Sequence, residues 1–214
     1  MYPSVHAAFP ILTKPLEGDV PYMYTDILGL VTCAWGNLID SVPAAIAAGA
    51  WIVRATGALA TTTEITAEWY MIKDNRIEAF HGPRPLCLSD ASVTALAYRR
   101  LDANELYLSR RWANWASWPA DAQLGAHSCA WAAGAAWRAP HFDLAVGKLD
   151  FLTCAGPPGD AGQDPNARGE AWLNDTGNPG LRPRNIANKI LFSNAAEVVR
   201  LGLPRDVLCW PGVA

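Results

Sequence analysis

Two acidic residues and a hydroxyl residue follow one another at short intervals near the start of the chain: Glu17, Asp26 nine positions later, and Thr32 six positions after that. Cleavage of a glycosidic bond needs one acid to protonate the leaving oxygen and a second carboxylate to direct water at the anomeric carbon. An inverting enzyme holds these two groups about 6.5–9.5 Å apart, which leaves room for the water. A threonine hydroxyl can hold that water because it both donates and accepts hydrogen bonds. These three residue types are those that hydrolysis of a glycoside needs, but the spacing alone does not decide the function.

The segment that must position these three residues is predicted to be a small sheet. Residues 16–40, LEGDVPYMYTDILGLVTCAWGNLID, are dense in glycine, aromatic and β-branched residues, with turn signals at Gly18-Asp19 and Leu28-Gly29. This composition predicts short strands joined by tight turns, as in a hairpin. In such a sheet, a Glu at the start of a turn and an Asp on an adjoining strand can face one cleft.

The rest of the chain predicts helices. Three prolines in the first 15 residues allow only a short, broken helix there. Residues 155–180, rich in Gly, Pro, Asn and Asp, predict a long loop. Helical spacing of apolar residues predicts one or two helices at 43–60 and further helices at 63–80, 90–112, 121–137, 142–154 and 185–200. Strands segregated from helices in this way indicate an α+β fold.

The helix at 63–80 is predicted to place Ile65, Trp69, Ile72 and Ile77 on one side and to stop at His81-Gly82-Pro83. The next helix is predicted to be capped by Ser89 or Asp90, and its predicted buried face comprises Val93, Leu96, Ala97, Leu101, Leu106 and Leu108. The helix at 121–137 is apolar on nearly every side, which predicts a central buried helix.

Composition excludes several classes of protein. A net charge of -3 among 214 residues argues against a broad basic surface for nucleic acid, so any substrate must be held in a shaped groove. The longest apolar run, residues 43–53, is too short to cross a bilayer. Five cysteines without a C-x-x-C pair indicate free thiols, and four histidines without paired ligand spacing argue against a zinc enzyme. Most of the ten tryptophans are expected in the core, with one or two lining a sugar site.

The stretch from Glu17 to Asp40 resembles the active-site segment of the phage-type lysozymes, glycoside hydrolase family 24. In that family a Glu-Gly pair is followed by an aromatic residue, an Asp, a Gly, a Thr and a G-x-G-H-like turn. The corresponding residues are Glu17-Gly18, Tyr24, Asp26, Gly29, Thr32 and Ala34-Trp35-Gly36-Asn37. A weaker resemblance covers residues 121–137 and 180–194. The chain departs from the family at Ala34, which replaces a Gly, at Asn37, which replaces the His, and at the bulky Trp35.

The resemblance implies a lysozyme-like domain over residues 1–214. It would have a catalytic, β-containing lobe at 12–62, a connecting helix at 63–82 and a helical lobe at 83–214, with the cleft between the lobes. Glu17 would be the general acid, kept protonated by partial burial; Asp26 would activate the water, and Thr32 would orient it. The candidate substrate-binding residues are Trp35, Gly36, Asn37, Leu38 and Arg184. No metal or cofactor is expected.

The implied reaction is inverting hydrolysis of the β-1,4 bond from N-acetylmuramic acid to N-acetylglucosamine. We expect a monomeric phage endolysin that binds peptidoglycan but neither nucleic acid nor a membrane. It would be made in the host cytoplasm without a signal peptide and released to the periplasm by a holin, or carried in a virion. The alternatives are a virion-associated or effector lysozyme with the same chemistry, and a degenerate protein that binds glycan or serves a structural role. A lytic transglycosylase, which uses one acid and forms an anhydro-sugar, is disfavoured by the presence of Asp26.

Overall fold

The computed structural model describes residues 1–79, 84–160 and 163–211. The chain divides into two compact units: Glu17–Arg100, here called the sheet unit, and Met1–Leu16 with Leu101–Ala214, here called the helical unit. The predicted α+β class is confirmed, with about 54% helix and a small antiparallel sheet. The boundaries of the two units differ from those of the predicted lobes, because the helix expected to connect the lobes lies wholly inside the sheet unit.

The sheet unit contains the small sheet expected over residues 16–40. Strands β1 (Val20–Thr25), β2 (Val31–Ala34) and β3 (Asn37–Leu38) form an antiparallel sheet in that order. In this register Thr32 is opposite both Tyr24 on β1 and Leu38 on β3. The remaining elements of this unit are α2 (Val42–Ala47), β4 (Trp51–Val53), α3 (Thr62–Asn75), β5 (Leu86–Leu88) and the first part of α4 (Asp90–Arg111).

Helix α1 (Pro3–Glu17) contradicts the expectation of a short, broken helix in this region. Its buried residues follow helical spacing: Val5, Ala8, Phe9 and Leu12. Two of its prolines lie in the helix interior, where each costs about 3 kcal/mol or more through a lost hydrogen bond and a steric clash. Burial of the apolar side chains offsets that cost, because a large apolar side chain contributes about 1.5–3 kcal/mol when removed from water.

The helix predicted over 43–60 was wrong beyond its first residues. Only the six-residue α2 forms, and the chain then turns and continues as strand β4. At Gly49 the backbone has φ +156, and a Cβ there would lie 2.6 Å from the Cβ of Ser92. The buried Trp51 follows, and its indole N–H donates to the Ala45 carbonyl at 2.7 Å. β4 pairs with β5, a partner distant in sequence that the apolar pattern could not reveal.

Helix α3 begins close to the predicted position and ends earlier. Thr61 and Glu64 form a capping box at its start, and its buried face includes Ile65, Trp69 and Ile72 as predicted. The helix ends at Asn75 because Arg76 adopts the left-handed conformation with φ 49. The predicted stop at His81-Gly82-Pro83 lies outside the described residues.

Helix α4 follows the predicted cap, since the hydroxyl of Ser89 accepts the Ser92 N–H at 3.2 Å. Most of the side chains predicted to be buried on this helix are buried: Val93, Ala97, Leu101 and Leu108. Leu106 is an exception, with 52% of its surface exposed. An apolar residue at helical spacing can lie on the solvent side because protein surfaces retain much apolar area.

The helical unit is built around α5 (Ala120–Ala133), which is buried on all sides from Ala120 to Trp131, as its composition predicted. The helix predicted at 142–154 is two helices, α6 (Pro140–Gly147) and α7 (Phe151–Ala155), and the closing helix is α8 (Leu181–Leu201). The described part of 155–180 is irregular apart from one short 3-10 turn. The aromatic members of this core are Trp112, Trp115, Trp118, Phe142, Phe151 and Phe192.

Seven of the ten tryptophans are buried, in agreement with their expected place in the core. The five cysteines, all within the described ranges, are free thiols. Among the described residues, no helix combines the length and the apolar character needed to cross a membrane.

Candidate active site

Glu17 is the last residue of α1, and its half-buried carboxyl group packs against the turn between β2 and β3. A Cβ built on Gly36 would lie 2.5 Å from Oε2 of Glu17. Gly36 also has φ +69, a conformation that other residues adopt only with strain. Two independent features therefore favour glycine at this position: the positive φ and the closeness of the Glu17 carboxylate.

The β2–β3 turn is held on two sides. The indole N–H of Trp35 donates to Oδ1 of Asp19 at 3.0 Å, which joins the turn to the segment just after Glu17. On the other side, Nη1 of Arg100 donates to the carbonyl of Gly36 at 2.8 Å. Ala34 has φ 52, so the turn has a glycine-like backbone at this residue, at a cost of about 1–2 kcal/mol.

Asp26 caps the turn between β1 and β2. Its Oδ1 accepts the backbone N–H groups of Leu28 at 2.9 Å and Leu30 at 2.8 Å. Its own N–H donates to the Leu30 carbonyl at 2.9 Å. These bonds orient the carboxylate, and because both side-chain bonds use Oδ1, they leave the Oδ2 lone pairs for another partner.

Thr32 is connected to Asp26 through Leu30. Its hydroxyl donates at 3.1 Å to the same Leu30 carbonyl that accepts the Asp26 N–H. The hydroxyl oxygen keeps its acceptor capacity, and the residue is 6% exposed. One backbone unit thus fixes the carboxylate and the hydroxyl relative to each other.

Tyr24 lies among these groups and was identified from the sequence only as an aromatic residue of the motif. It is directly opposite Thr32 in the β1–β2 register. Burial raises the pKa of the Tyr24 hydroxyl well above its usual range, and the negative charges of Glu17 and Asp26 raise this pKa further. Both carboxylates therefore lie within electrostatic reach of one hydroxyl. The sequence signal for this residue was its place two positions before Asp26, near the end of β1.

The predicted substrate-binding residues fall into three environments. Trp35 is 4% exposed and Asn37 is 3% exposed, and Oδ1 of Asn37 has no hydrogen-bond partner among the described residues. Leu38, opposite Thr32, is 61% exposed. Arg184 belongs to the helical unit, where it is 2% exposed and its Nη1 donates to the hydroxyl and carbonyl of Ser128 at 3.0 and 3.1 Å. The structure thus gathers all the predicted site residues except Arg184 into the sheet unit.

A buried acid in the same unit was missed by the sequence analysis. Glu68 lies on the buried face of α3, where its Oε2 accepts the Leu86 N–H at 3.0 Å. Burial raises the pKa of Glu68 to about 7, although Leu86, Arg84 and Arg54 act to lower this pKa. Among the described residues, Oε1 has no hydrogen-bond partner. The available signal was an acidic residue within the apolar spacing of α3; its contact with β5 indicates a structural role.

The described ranges contain no group of three or more His, Cys, Asp or Glu side chains that could hold a metal ion. Comparisons of this chain with protein-family models, curated proteins and solved structures found no significant match.

Proposed function

We propose that the sheet unit carries the catalytic groups of a lysozyme-like enzyme that hydrolyses peptidoglycan glycan strands. The bond cleaved is the β-1,4 bond from N-acetylmuramic acid to N-acetylglucosamine, and the configuration at the anomeric carbon is inverted. One observation carries the proposal: the carboxylates of Glu17 and Asp26 both act electrostatically on the hydroxyl of Tyr24, and Thr32 is opposite Tyr24 in the sheet. A pair of carboxylates around one site is the arrangement that glycoside hydrolysis requires.

In this mechanism, protonated Glu17 donates its proton to the glycosidic oxygen, and the bond from that oxygen to the anomeric carbon breaks. Water attacks the same carbon from the opposite face while Asp26 accepts a proton from it. The Thr32 oxygen accepts the other hydrogen of the water and so directs its lone pair. The products are a free 4-hydroxyl on N-acetylglucosamine and a reducing N-acetylmuramic acid, and proton exchange with solvent restores Glu17 and Asp26.

The candidate binding residues support this proposal to different degrees. The exposed Leu38 offers an apolar surface beside Thr32, suited to the C–H face of a sugar. Gly36 and Trp35 act through the turn that supports Glu17. The bonds of Arg184 to Ser128 favour a structural role for that residue. An endolysin role rests on the motif resemblance, and neighbouring genes for a holin or for tail proteins would separate lysis from entry.

The test compares Glu17→Gln with wild type on purified Gram-negative peptidoglycan, scored by release of reducing ends. Glutamine has the shape of glutamate but cannot donate an acidic proton, so we expect a loss of about 10²–10⁴-fold. Glu78→Gln is the matched control, because Glu78 is an exposed carboxylate of the same unit. Wild-type turnover by a folded Glu17→Gln protein would contradict the proposed role of Glu17.

A lytic transglycosylase is the second candidate, and one observation favours it: Oδ1 of Asp26 is committed to capping the β1–β2 turn. If capping were the whole role of Asp26, the enzyme would need only one acid. Asp26→Asn separates the two, since asparagine keeps an acceptor for both N–H groups and removes the charge. Hydrolysis requires this variant to lose turnover, whereas a transglycosylase would keep it and release anhydro-sugars.

A further inference from the structure

An ion pair between Lys73 and Asp40 in the sheet unit contacts the turn that joins Asp26 to Thr32. Nζ of Lys73, in the last turn of α3, lies 2.7 and 2.9 Å from the two carboxylate oxygens of Asp40. The same Nζ donates to the Gly29 carbonyl at 3.0 Å. Oδ1 of Asp40 accepts the Val31 N–H at 2.9 Å. The pair therefore holds the turn at two points, a carbonyl three residues after Asp26 and the N–H just before Thr32.

Two further contacts fasten the same turn to the end of α3. A Cβ on Gly29 would lie 3.0 Å from Nη2 of Arg76, so the guanidinium packs directly on the turn. The Thr25 N–H donates to the Ile77 carbonyl at 2.8 Å, which joins the end of β1 to the residue after Arg76. The turn is thus supported by a helix terminus in addition to its own hairpin bonds.

Both partners of the ion pair are partly exposed, with 31% of the Lys73 side chain and 22% of the Asp40 side chain accessible. Burial opposes ionisation of Asp40, but the hydrogen bonds from Lys73 and Val31 and the charge of Lys73 lower its pKa. Ion pairs this close to solvent contribute only about 0–1 kcal/mol to stability. The contribution of this pair to the stability of the fold is therefore small.

We propose that Lys73 and Asp40 are positioning residues for the hydrolysis: they fix the turn so that Asp26 and Thr32 contact the same water molecule. This inference rests on the proposed function. Lys73 acts on the Gly29 carbonyl and Asp40 on the Val31 N–H, so the two ends of the segment move together. A displacement of about 1 Å at a catalytic group can cost about 10²-fold in rate. A small shift of this turn therefore lowers kcat with little change in the folded population.

The test measures kcat and KM of Lys73→Met, Asp40→Asn and Lys73→Arg on soluble glycan fragments. Lys73→Met removes both of the lysine's contacts, and we expect kcat to fall about 10–100-fold while KM changes less than about twofold. Lys73→Arg keeps the charge and several donors, so it should restore most of the rate. Lys148→Met is the control, because Lys148 is an exposed lysine of the helical unit. An unchanged kcat in Lys73→Met would overturn the proposal.

A second readout separates this inference from the proposed function. Amide hydrogen exchange at Leu30 and Val31 reports the turn directly, and Lys73→Met should accelerate exchange there while α3 stays protected. Unchanged exchange at both amides would refute the claim that Lys73 restrains the turn, whatever the activity of the variant. If Lys73→Met exchanges faster but wild type shows no turnover, the Lys73–Asp40 pair restrains the turn as a structural feature only. That result would refute the proposed function and, with it, the positioning role of the pair. Loss of kcat together with thermal unfolding of the whole unit would also count against a positioning role.

Discussion

Gly36→Ala tests whether Gly36 sets the position of Glu17, because its effect on the reaction rate can be measured separately from its effect on stability through backbone strain. The new Cβ would lie 2.5 Å from Oε2 of Glu17, closer than any ordinary contact, and the backbone is at φ +69. The Glu17 carboxylate ends a flexible side chain, so it can move away from the methyl group while the turn keeps its path. We expect the variant to fold with the carboxylate of Glu17, the proposed general acid, displaced.

The magnitude follows from two separate terms. The left-handed conformation costs a non-glycine residue about 1–2 kcal/mol, which lowers Tm by roughly 2–8 °C for a chain of this size. A changed Glu17 rotamer adds about 0.5–1.5 kcal/mol at most. The effect on catalysis is larger, since a displacement of about 1 Å costs about 10²-fold in rate.

Gly57→Ala is the matched control. Gly57 lies in the same unit at φ +72, and a Cβ there would meet nothing within 4 Å. Both variants should therefore lose similar stability in thermal unfolding, while only Gly36→Ala should lose about 10²-fold in the release of reducing ends. Equal activity of the two variants would refute the reasoning that Gly36 places the catalytic acid.

Three further predictions concern the rest of the molecule. The pKa of Glu68 is raised from 4.5 to about 7, so its contribution to stability is complete below pH 4.5 and is lost as the pH rises through 7. A pKa shift of one unit corresponds to about 1.4 kcal/mol, so the unfolding free energy of wild type should fall by about 3 kcal/mol relative to that of Glu68→Gln between pH 4.5 and 7. If urea unfolding gave the same change in unfolding free energy for both proteins over this pH range, the prediction would be contradicted. Nζ of Lys189 donates to three loop carbonyls, at 3.2, 2.6 and 2.7 Å, and the last of these belongs to Ala167, so Lys189→Met should make the chain cleavable by trypsin after Arg168 at protease levels that leave wild type intact. The native protein should react with a thiol reagent at no more than two of its five cysteines, because three are buried, Cys33, Cys129 and Cys154. Burial raises the pKa of Cys33 and Cys129 to about 12, and rapid reaction of more than two thiols before unfolding would show that this packing is wrong.

The elements that sequence reasoning identified are those whose apolar pattern is local. The β1–β2–β3 segment was marked by turn residues and β-branched residues, and α5 by an apolar composition on every side. Helix α1 was missed because the interior prolines argue against a helix, and only tertiary burial of residues such as Phe9 reverses that preference. Strand β4 was missed because its partner is β5, far along the chain.

In the candidate site, too, sequence reasoning identified the residues marked by a local pattern and missed those that depend on distant partners. Glu17, Asp26 and Thr32 were selected by spacing and resemblance, and their roles stay predictions; the structure adds the contact between Gly36 and Glu17. The Lys73–Asp40 pair could not be foreseen, since its partners are 33 positions apart and neither is one of the residues matched to the family pattern. Such contacts depend on how α3 packs against the turn, which single-sequence patterns do not encode.

The most direct test of the central claim is the mass of the muropeptides that wild type releases from peptidoglycan in ¹⁸O-labelled water. Hydrolysis through Glu17 and Asp26 predicts reducing muropeptides that carry one labelled oxygen at the anomeric carbon of N-acetylmuramic acid. Anhydro-muropeptides without label would contradict the role of Asp26 and indicate a transglycosylase. Intact glycan strands after incubation with folded protein would contradict the enzymatic proposal itself.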